Sequence, residues 1–282
     1  MLICIIQTLT VNSIDVKTTS GVVRGMTLQV LNKTVDQFLN IPFAEPPVGS
    51  LRFAPPVPLK QPLKRFLYGD REDAPGNVGL YDQLLALKWV RENIHSFGGD
   101  RDQITIFGES AGSISVSAHI LSPLSKGLFK RAIMESGAHM YNKDRDVVNT
   151  TEALVEAKQI AKQLKCNETE HWLQCLRAVK AEDILKQSQS LRFAGYPVVG
   201  TTFLPIPTHM ALKNKQLYTD IDLLTGITAN EGSSLVALVL KVYDIKSVDE
   251  FQAYVKQSDD KYHGLDVQKV TDFYLQSVDT KR

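Results

Sequence analysis

From Ile104 to Val116 the chain reads ITIFGESAGSISV. A short apolar, β-branched run meets Gly108-Glu109-Ser110-Ala111-Gly112, and a segment of helical character follows. A serine between two glycines at a strand-to-helix junction permits a very tight turn, because a Cβ at either glycine would crowd the neighbouring strand and helix. Such a turn exposes the Ser110 hydroxyl. It also sets the N–H of Ala111 at a helix start, where it can face a developing oxyanion. The bland alternative is a glycine-rich turn carrying an ordinary serine.

The flanking segments agree with a strand–turn–helix unit in an α/β fold. Leu80, Leu84, Leu87, Val90 and Ile94 share one face of an amphipathic helix, which Gly98-Gly99 stops. The ITIF run suits a buried parallel strand, and Arg131–Gly137, RAIMESG, reads as the next one. Residues 149–189 are helical in pattern, with Leu154, Ala157, Ile160 and Leu164 on one face. Asp222–Ser234 returns to a strand and a polar turn, Ser247–Glu250 is a capping box, and a last helix covers DVQKVTDFYLQ. Strands alternate with helices, which implies a parallel sheet. Upstream, SGVVRGMTLQVLNKTVDQFLN reads as a hairpin or meander around Asn32-Lys33. Seven prolines between Pro42 and Pro62 make the next stretch an extended surface segment.

Composition narrows the function classes. The 282 residues are 43% hydrophobic and 22% charged, with a net charge of +1. That balance fits a soluble globular chain and offers no global field for nucleic acid or an anionic membrane. The cysteines are Cys4, Cys166 and Cys175, without a C-x-x-C pair, so neither a zinc site nor any other cofactor is implied. By spacing alone, Cys166 and Cys175 are equally readable as buried thiols or as a short-loop disulfide. Residues 1–17 open on MLICIIQTLT, apolar but too short to span a membrane, and form a weak or partial signal-like segment ahead of a domain over 18–282. No other stretch is apolar and long enough to cross a bilayer. Sequons at Asn32, Asn149 and Asn167 agree with a secreted or extracellular location.

A serine nucleophile needs an acid and a base after it in chain order. Glu231, in TGITANEGSS just past an apolar strand, is the candidate acid; the bland reading is a solvated loop glutamate. Only His263 follows it, in a polar stretch with no strand leading in, and His95, His119, His139, His171 and His209 all precede it. Structural roles are the default for these, so no catalytic histidine is assigned. The second oxyanion donor usually sits on a Gly-rich loop upstream. Between Pro62 and Gly79 there is no H-G-G or G-G-G run.

The segments FLNIPFAEPPVGSLRFAPP, GNVGLYDQLLALKWVRENIHSFGGD, ITIFGESAG, LSPLSKGLFKRAIMESGA and ITANEGS resemble the type B carboxylesterases, the group that includes the cholinesterases. The resemblance runs, with a break, from about Thr18 to the C-terminus and is most specific over Gly76–Ala138. It implies an α/β-hydrolase fold with a mostly parallel but incomplete sheet and helices on both faces. It also implies a serine acyl-enzyme mechanism on a small carboxylic ester, with Ser110 as nucleophile, Glu231 as triad acid and Cys166–Cys175 as a disulfide.

Departures from the family pattern carry equal information. Leu63-Lys64-Arg65 runs directly into FLYGDREDAPGNVGLYDQ, without the block that bears the family's H-G-G-G oxyanion loop, and the H-G motif of its catalytic histidine is absent before Arg282. A splice form, a gene-model error or a fragment would read this way. Without the missing strand, ITIF is expected to have an unpaired edge. Without histidine, Ser110 keeps an alcohol pKa. Little or no esterase activity is therefore expected of this chain. The alternative is a non-catalytic, cholinesterase-like binding or adhesion domain.

Overall fold

The computed structural model describes residues 12–46, 48–49, 52–56, 68–138, 141–142, 145–146, 148–166, 171–188, 196–216, 220–232, 245–262 and 264–276. Cys4, His139, Asn167 and His263 lie outside them.

Among the described residues three strands form the parallel sheet: β6 (Thr105–Glu109), β7 (Arg131–Glu135) and β10 (Asp222–Gly226), in the order β10-β7-β6, and the short antiparallel pair β8 (Tyr141–Asn142) and β9 (Arg145–Asp146) lies between β7 and β10 in sequence. Their register is level. Thr105 and Asp222 both pair with Arg131, and Glu109 and Gly226 both pair with Glu135. Between β6 and β7 runs helix α2 (Ala111–Leu121), which covers one face of the sheet. Val116 and Ile120 of α2 join Phe129, Ala132 and Met134 in a buried cluster that Ile106 flanks. Side chains alternate along a strand, so Phe107 points the other way, and it is 75% exposed. The ITIF run is therefore covered on one face rather than fully buried. Its outer side has no strand partner among the described residues.

Helix α1 (Val78–Asn93) packs on α2, burying Leu80 and Leu84 with Ala118, Leu121, Phe203 and Leu204. Of the predicted apolar stripe Leu80 and Leu84 are buried, while Leu87, Val90 and Ile94 are half-buried. Its N-terminus is fixed by Asn77 at φ 55°, whose buried amide donates to the Val198 carbonyl at 2.7 Å and accepts from the Val198 N–H at 2.7 Å. Between the two helices His119 is buried. Its Nε2 faces the Gln83 Oε1 at 3.1 Å and its Nδ1 the Ser125 Oγ at 2.8 Å. A carboxamide oxygen only accepts, so the neutral ring carries its proton on Nε2 and Ser125 donates to Nδ1.

A second core forms around α3 (Thr150–Gln163) and α4 (Trp172–Ala178). Phe53, Ala74, Ile160, Trp172, Leu173 and Leu176 meet there. Asn149 caps α3 with a reciprocal capping box to Glu152. Cys166 and Cys175 are disulfide-bonded, with Cα atoms 5.5 Å apart, a closure worth about 2–3 kcal/mol. Two features were not read from the sequence. A small hairpin, β4 (Tyr68–Arg71) with β5 (Ala74–Pro75), follows the proline-rich stretch. Within that stretch Phe53 and Ala54 are buried, so it is not wholly a surface segment. Arg177 ties these parts together. Its buried guanidinium donates to the Asp73 carboxylate at 2.9 Å, the Asp73 carbonyl at 3.1 Å and the Arg52 carbonyl at 3.3 Å.

The N-terminal sheet has three antiparallel strands, β1 (Asn12–Thr18), β2 (Gly21–Val30) and β3 (Lys33–Gln37). Strand β1 begins inside the stretch read as signal-like, and the β2–β3 turn is Leu31-Asn32, one residue earlier than expected. Asn93, fully buried at the end of α1, holds this sheet by accepting from the Thr19 N–H at 2.7 Å. Further along lie α5 (Ala181–Ser188), α6 (Thr208–Lys213), α7 (Val248–Tyr262) and α8 (Val267–Leu275). Ser247 caps α7 by accepting from the Glu250 N–H, while the Glu250 carboxylate reaches the N–H of Lys246 instead of Ser247.

Two groups make stability depend on pH. Burial lowers His119 from 6.5 to about 4. The unfolded chain therefore takes up a proton that the folded one refuses, and about 3 kcal/mol is lost as pH falls from 6.5 to 4. Burial alone would raise Asp73, but hydrogen bonds from Arg177 and Arg71 outweigh it and bring the carboxyl from 3.8 to about 2. Its contribution, about 2 kcal/mol, is present above pH 3.8 and lost as pH falls towards 2. Thermal melting followed by circular dichroism should fall in two successive windows. His119→Gln should flatten the upper one and Asp73→Asn the lower.

Candidate active site

Ser110 sits between β6 and α2 with φ 52° and ψ −116°. Positive φ at a non-glycine residue costs on the order of 1–3 kcal/mol, so the surroundings must enforce it. They do so by backbone bonds. The Ser110 N–H donates to the Glu135 carbonyl on β7 at 3.0 Å, and the Ile114 N–H donates back to the Ser110 carbonyl at 3.0 Å. The turn brings β6 so close to the first turn of α2 that a Cβ on Gly108 would lie 2.4 Å from the Gly112 carbonyl carbon. Gly108 is therefore required by contact. Gly112 is not: a Cβ there would meet nothing within 4 Å, against the expectation that both glycines avoid crowding.

The exit of β7 braces this turn. Ser113, fully buried, donates its hydroxyl to the Gly137 carbonyl, and a Cβ on Gly137 would lie 2.6 Å from the Ser110 carbonyl oxygen. Neither residue was singled out from sequence. The available signal was the glycine that closes IMESG directly after a strand. Ala111 is the first residue of α2. Initial N–H groups of a helix lack an intrahelical acceptor and carry its positive dipole end, so this N–H is available to an anion.

Beyond β10 the Thr228–Gly232 turn carries Glu231, which is exposed. The hydroxyl of Ser136 and then the N–H of Thr228, donating at 2.8 Å, hold its carboxyl below the usual carboxylate range. Ser136 itself has φ 51° and donates its N–H to the Gly226 carbonyl at 2.9 Å. Ser110, Ser136 and Glu231 thus stand at the carboxyl ends of three adjacent strands. With strands 4.7–4.9 Å apart, the ends of β6 and β10 are about 10 Å from each other. An imidazole hydrogen-bonded at both ends bridges about 8 Å.

No histidine among the described residues is hydrogen-bonded to Ser110 or Glu231. His119 is committed to Gln83 and Ser125. His95 lies in the 3-10 turn that closes α1, His171 precedes α4 and His209 belongs to α6. Among the described residues no group of three or more His, Cys, Asp and Glu side chains could hold a metal ion.

The carboxylesterase family profile matches residues 12–67 and 65–281, in two pieces that meet where Leu63-Lys64-Arg65 runs into FLYGDRED. The chain is similar to the acetylcholinesterase of Danio rerio, 45% identical over 57% of this chain and 26% of that protein. It is 31% identical to the acetylcholinesterase of Gallus gallus over 71% of this chain and 40% of that protein. For the acetylcholinesterase of Bungarus fasciatus the figures are 28%, 78% and 54%. The chain spans between about a quarter and a half of the length of these relatives.

The glycine geometry separates two substitutions by sign. Gly108→Ala forces a methyl into backbone and should lower stability by at least about 2 kcal/mol. Gly112→Ala enters open space in a helix and should be neutral or stabilising by up to about 1 kcal/mol. Urea unfolding of the two variants beside the parent checks both.

Proposed function

We propose that this chain, which belongs to the carboxylesterase family and has its α/β-hydrolase fold, carries the nucleophile and the acid of a serine carboxylic-ester hydrolase. The observation that carries the reading is the positive-φ turn at Ser110, held by Glu135 at the level where Glu231 is held by Ser136 and Thr228. In this reading Ser110 Oγ attacks the ester carbonyl carbon and its proton passes to a base. The Ala111 N–H stabilises the oxyanion, and the alcohol leaves to give an acyl-enzyme that water hydrolyses. Glu231 orients the base and stabilises its protonated form. Its depressed pKa keeps it anionic for that task at neutral pH.

Among the described residues no base stands beside Ser110. No described histidine reaches Ser110, and the sequence between Pro62 and Gly79 has no Gly-rich oxyanion loop. A positioned general base contributes roughly 10²–10⁴-fold, so this chain alone should turn over esters close to background. Free imidazole can stand in for a ring that the described residues do not place beside Ser110. The substrate is a small-molecule carboxylic ester. A secreted location is part of the same reading: the Cys166–Cys175 bridge needs an oxidising compartment, and no described helix is long and apolar enough to cross a membrane.

Hydrolysis of p-nitrophenyl acetate tests this directly. Near-background rates are expected without imidazole. With it, the rise above imidazole's own rate should vanish in Ser110→Ala and shrink in Glu231→Gln. Equal rates for the parent and Ser110→Ala under both conditions would sink the nucleophile assignment, and Ser110-dependent turnover without imidazole would show that the chain supplies its own base.

A further inference from the structure

The N-terminal sheet presents an unusual outer face. One side of the sheet carries Lys17, Lys33 and the Arg24–Asp15 ion pair, and with them Val22, Met26 and Val30 of β2 and Val35 of β3, which neighbours Leu28. All four are exposed, Val22 at 65% and Val30 at 49%. The inner side is occupied, since Phe38 closes over Gly25 and stacks edge-on with Phe97 at 4.8 Å. At the tip of the β2–β3 hairpin Leu31 is 96% exposed and holds φ 55°. A single left-handed residue opening a two-residue hairpin loop is a position that favours glycine. An exposed leucine there, beside exposed Val30 and Val35, is doubly unfavourable for a bare surface.

Beside Leu31 stands Asn32, the acceptor of Asn32-Lys33-Thr34, exposed at the outermost point of the hairpin. We propose that Asn32 is an N-glycosylation site whose glycan covers the apolar tip of the β2–β3 hairpin, at Leu31, Val30 and Val35. The proposal rests on the secretory reading above. Chemically, an oligosaccharide carried on a polyprenyl diphosphate is transferred to Nδ2 of Asn32. The N–C1 bond forms, the C1–O bond to the diphosphate breaks, the lipid diphosphate departs with that electron pair, and the amide proton passes to a base of the transferring enzyme. The first sugar then lies over Leu31 and Val30, where its C–H face replaces water against apolar surface and its hydroxyls restore a hydrated exterior. Asn149 differs. Its side-chain oxygen caps α3 by accepting from the Glu152 N–H at 3.0 Å, and it sits beside the Val148–Val199 backbone bond rather than at an apolar tip. A glycan there would leave the cap in place and shield nothing comparable.

The test is expression through a eukaryotic secretory pathway, with glycopeptide mass spectrometry at each sequon of the secreted chain. Asn32 should carry a glycan. Asn32→Gln and Thr34→Ala, which delete the sequon from opposite ends, should each lose one glycan. Each should also melt about 3 °C lower and associate more readily than the parent. The parent stripped by an amidase should match them, while Thr151→Ala, which deletes the Asn149 sequon and keeps the Asn149 cap on α3, should lose its glycan without that melting change. Asn149 modified with Asn32 bare overturns the proposal and leaves the secretory reading intact. All sequons bare overturns both. A glycan at Asn32 whose removal changes neither melting nor association overturns the covering role.

Discussion

One backbone hydrogen bond, from the N–H of Ser110 to the carbonyl of Glu135, sets the geometry on which the rest of the site depends. It pulls the end of β6 onto the end of β7 and forces the chain to reverse there, and α2 starts at the only angle left to it. The reversal is so tight that Gly108 must lack a side chain, and the exit of β7 must pass close enough to the Ser110 carbonyl that Gly137 must too. The same device is repeated one strand over, where the N–H of Ser136 donates to Gly226. Two serines at positive φ, on neighbouring strands in level register, therefore terminate the sheet at a common height. The Glu231 turn joins that rim through the Ser136 hydroxyl.

The remaining structure keeps that rim in place. Buried polar residues recur at the joints between elements, each with its partners met: Asn77 to Val198, Asn93 to Thr19, His119 to Gln83 and Ser125, and Arg177 to Asp73 and Arg52. Each links segments far apart in sequence. An apolar contact tolerates sliding, whereas a buried donor displaced from its acceptor costs about 1–3 kcal/mol. These joints specify where α1 and α2 lie, and α2 carries the Ala111 N–H.

Much of this was legible in the residues because the signals were local. The apolar stripe of α1, the strand–Gly–x–Ser–x–Gly–helix unit, the RAIMESG strand and the Ser247 cap each need only their own neighbours in sequence. What was missed depends on contacts from elsewhere. Phe53 is buried because α3 and α4 fold over a proline-rich stretch that reads as exposed. Strand β1 exists because β2 pairs with it, a partner that its own residues do not announce. Phe107 reads as core and is exposed, because a β-branched run cannot reveal whether both faces of its sheet will be covered. Gly112 illustrates the converse: the motif demands a glycine there, while the space around it in this chain does not.

The Ser110 turn looks like a local motif, yet its shape is not locally encoded. Five consecutive residues supply the glycines and the hydroxyl, but the partner that holds Ser110 in its disfavoured conformation is Glu135, and the carboxylate across the rim belongs to Glu231. Contacts spanning such stretches of chain form late, because the loop-closure entropy of the intervening segments must be met first. Until β7 and β10 have docked, Ser110 has no reason to leave ordinary dihedral space. The site is thus a product of completed folding, and a partly folded chain with its helices formed would carry the motif without its geometry.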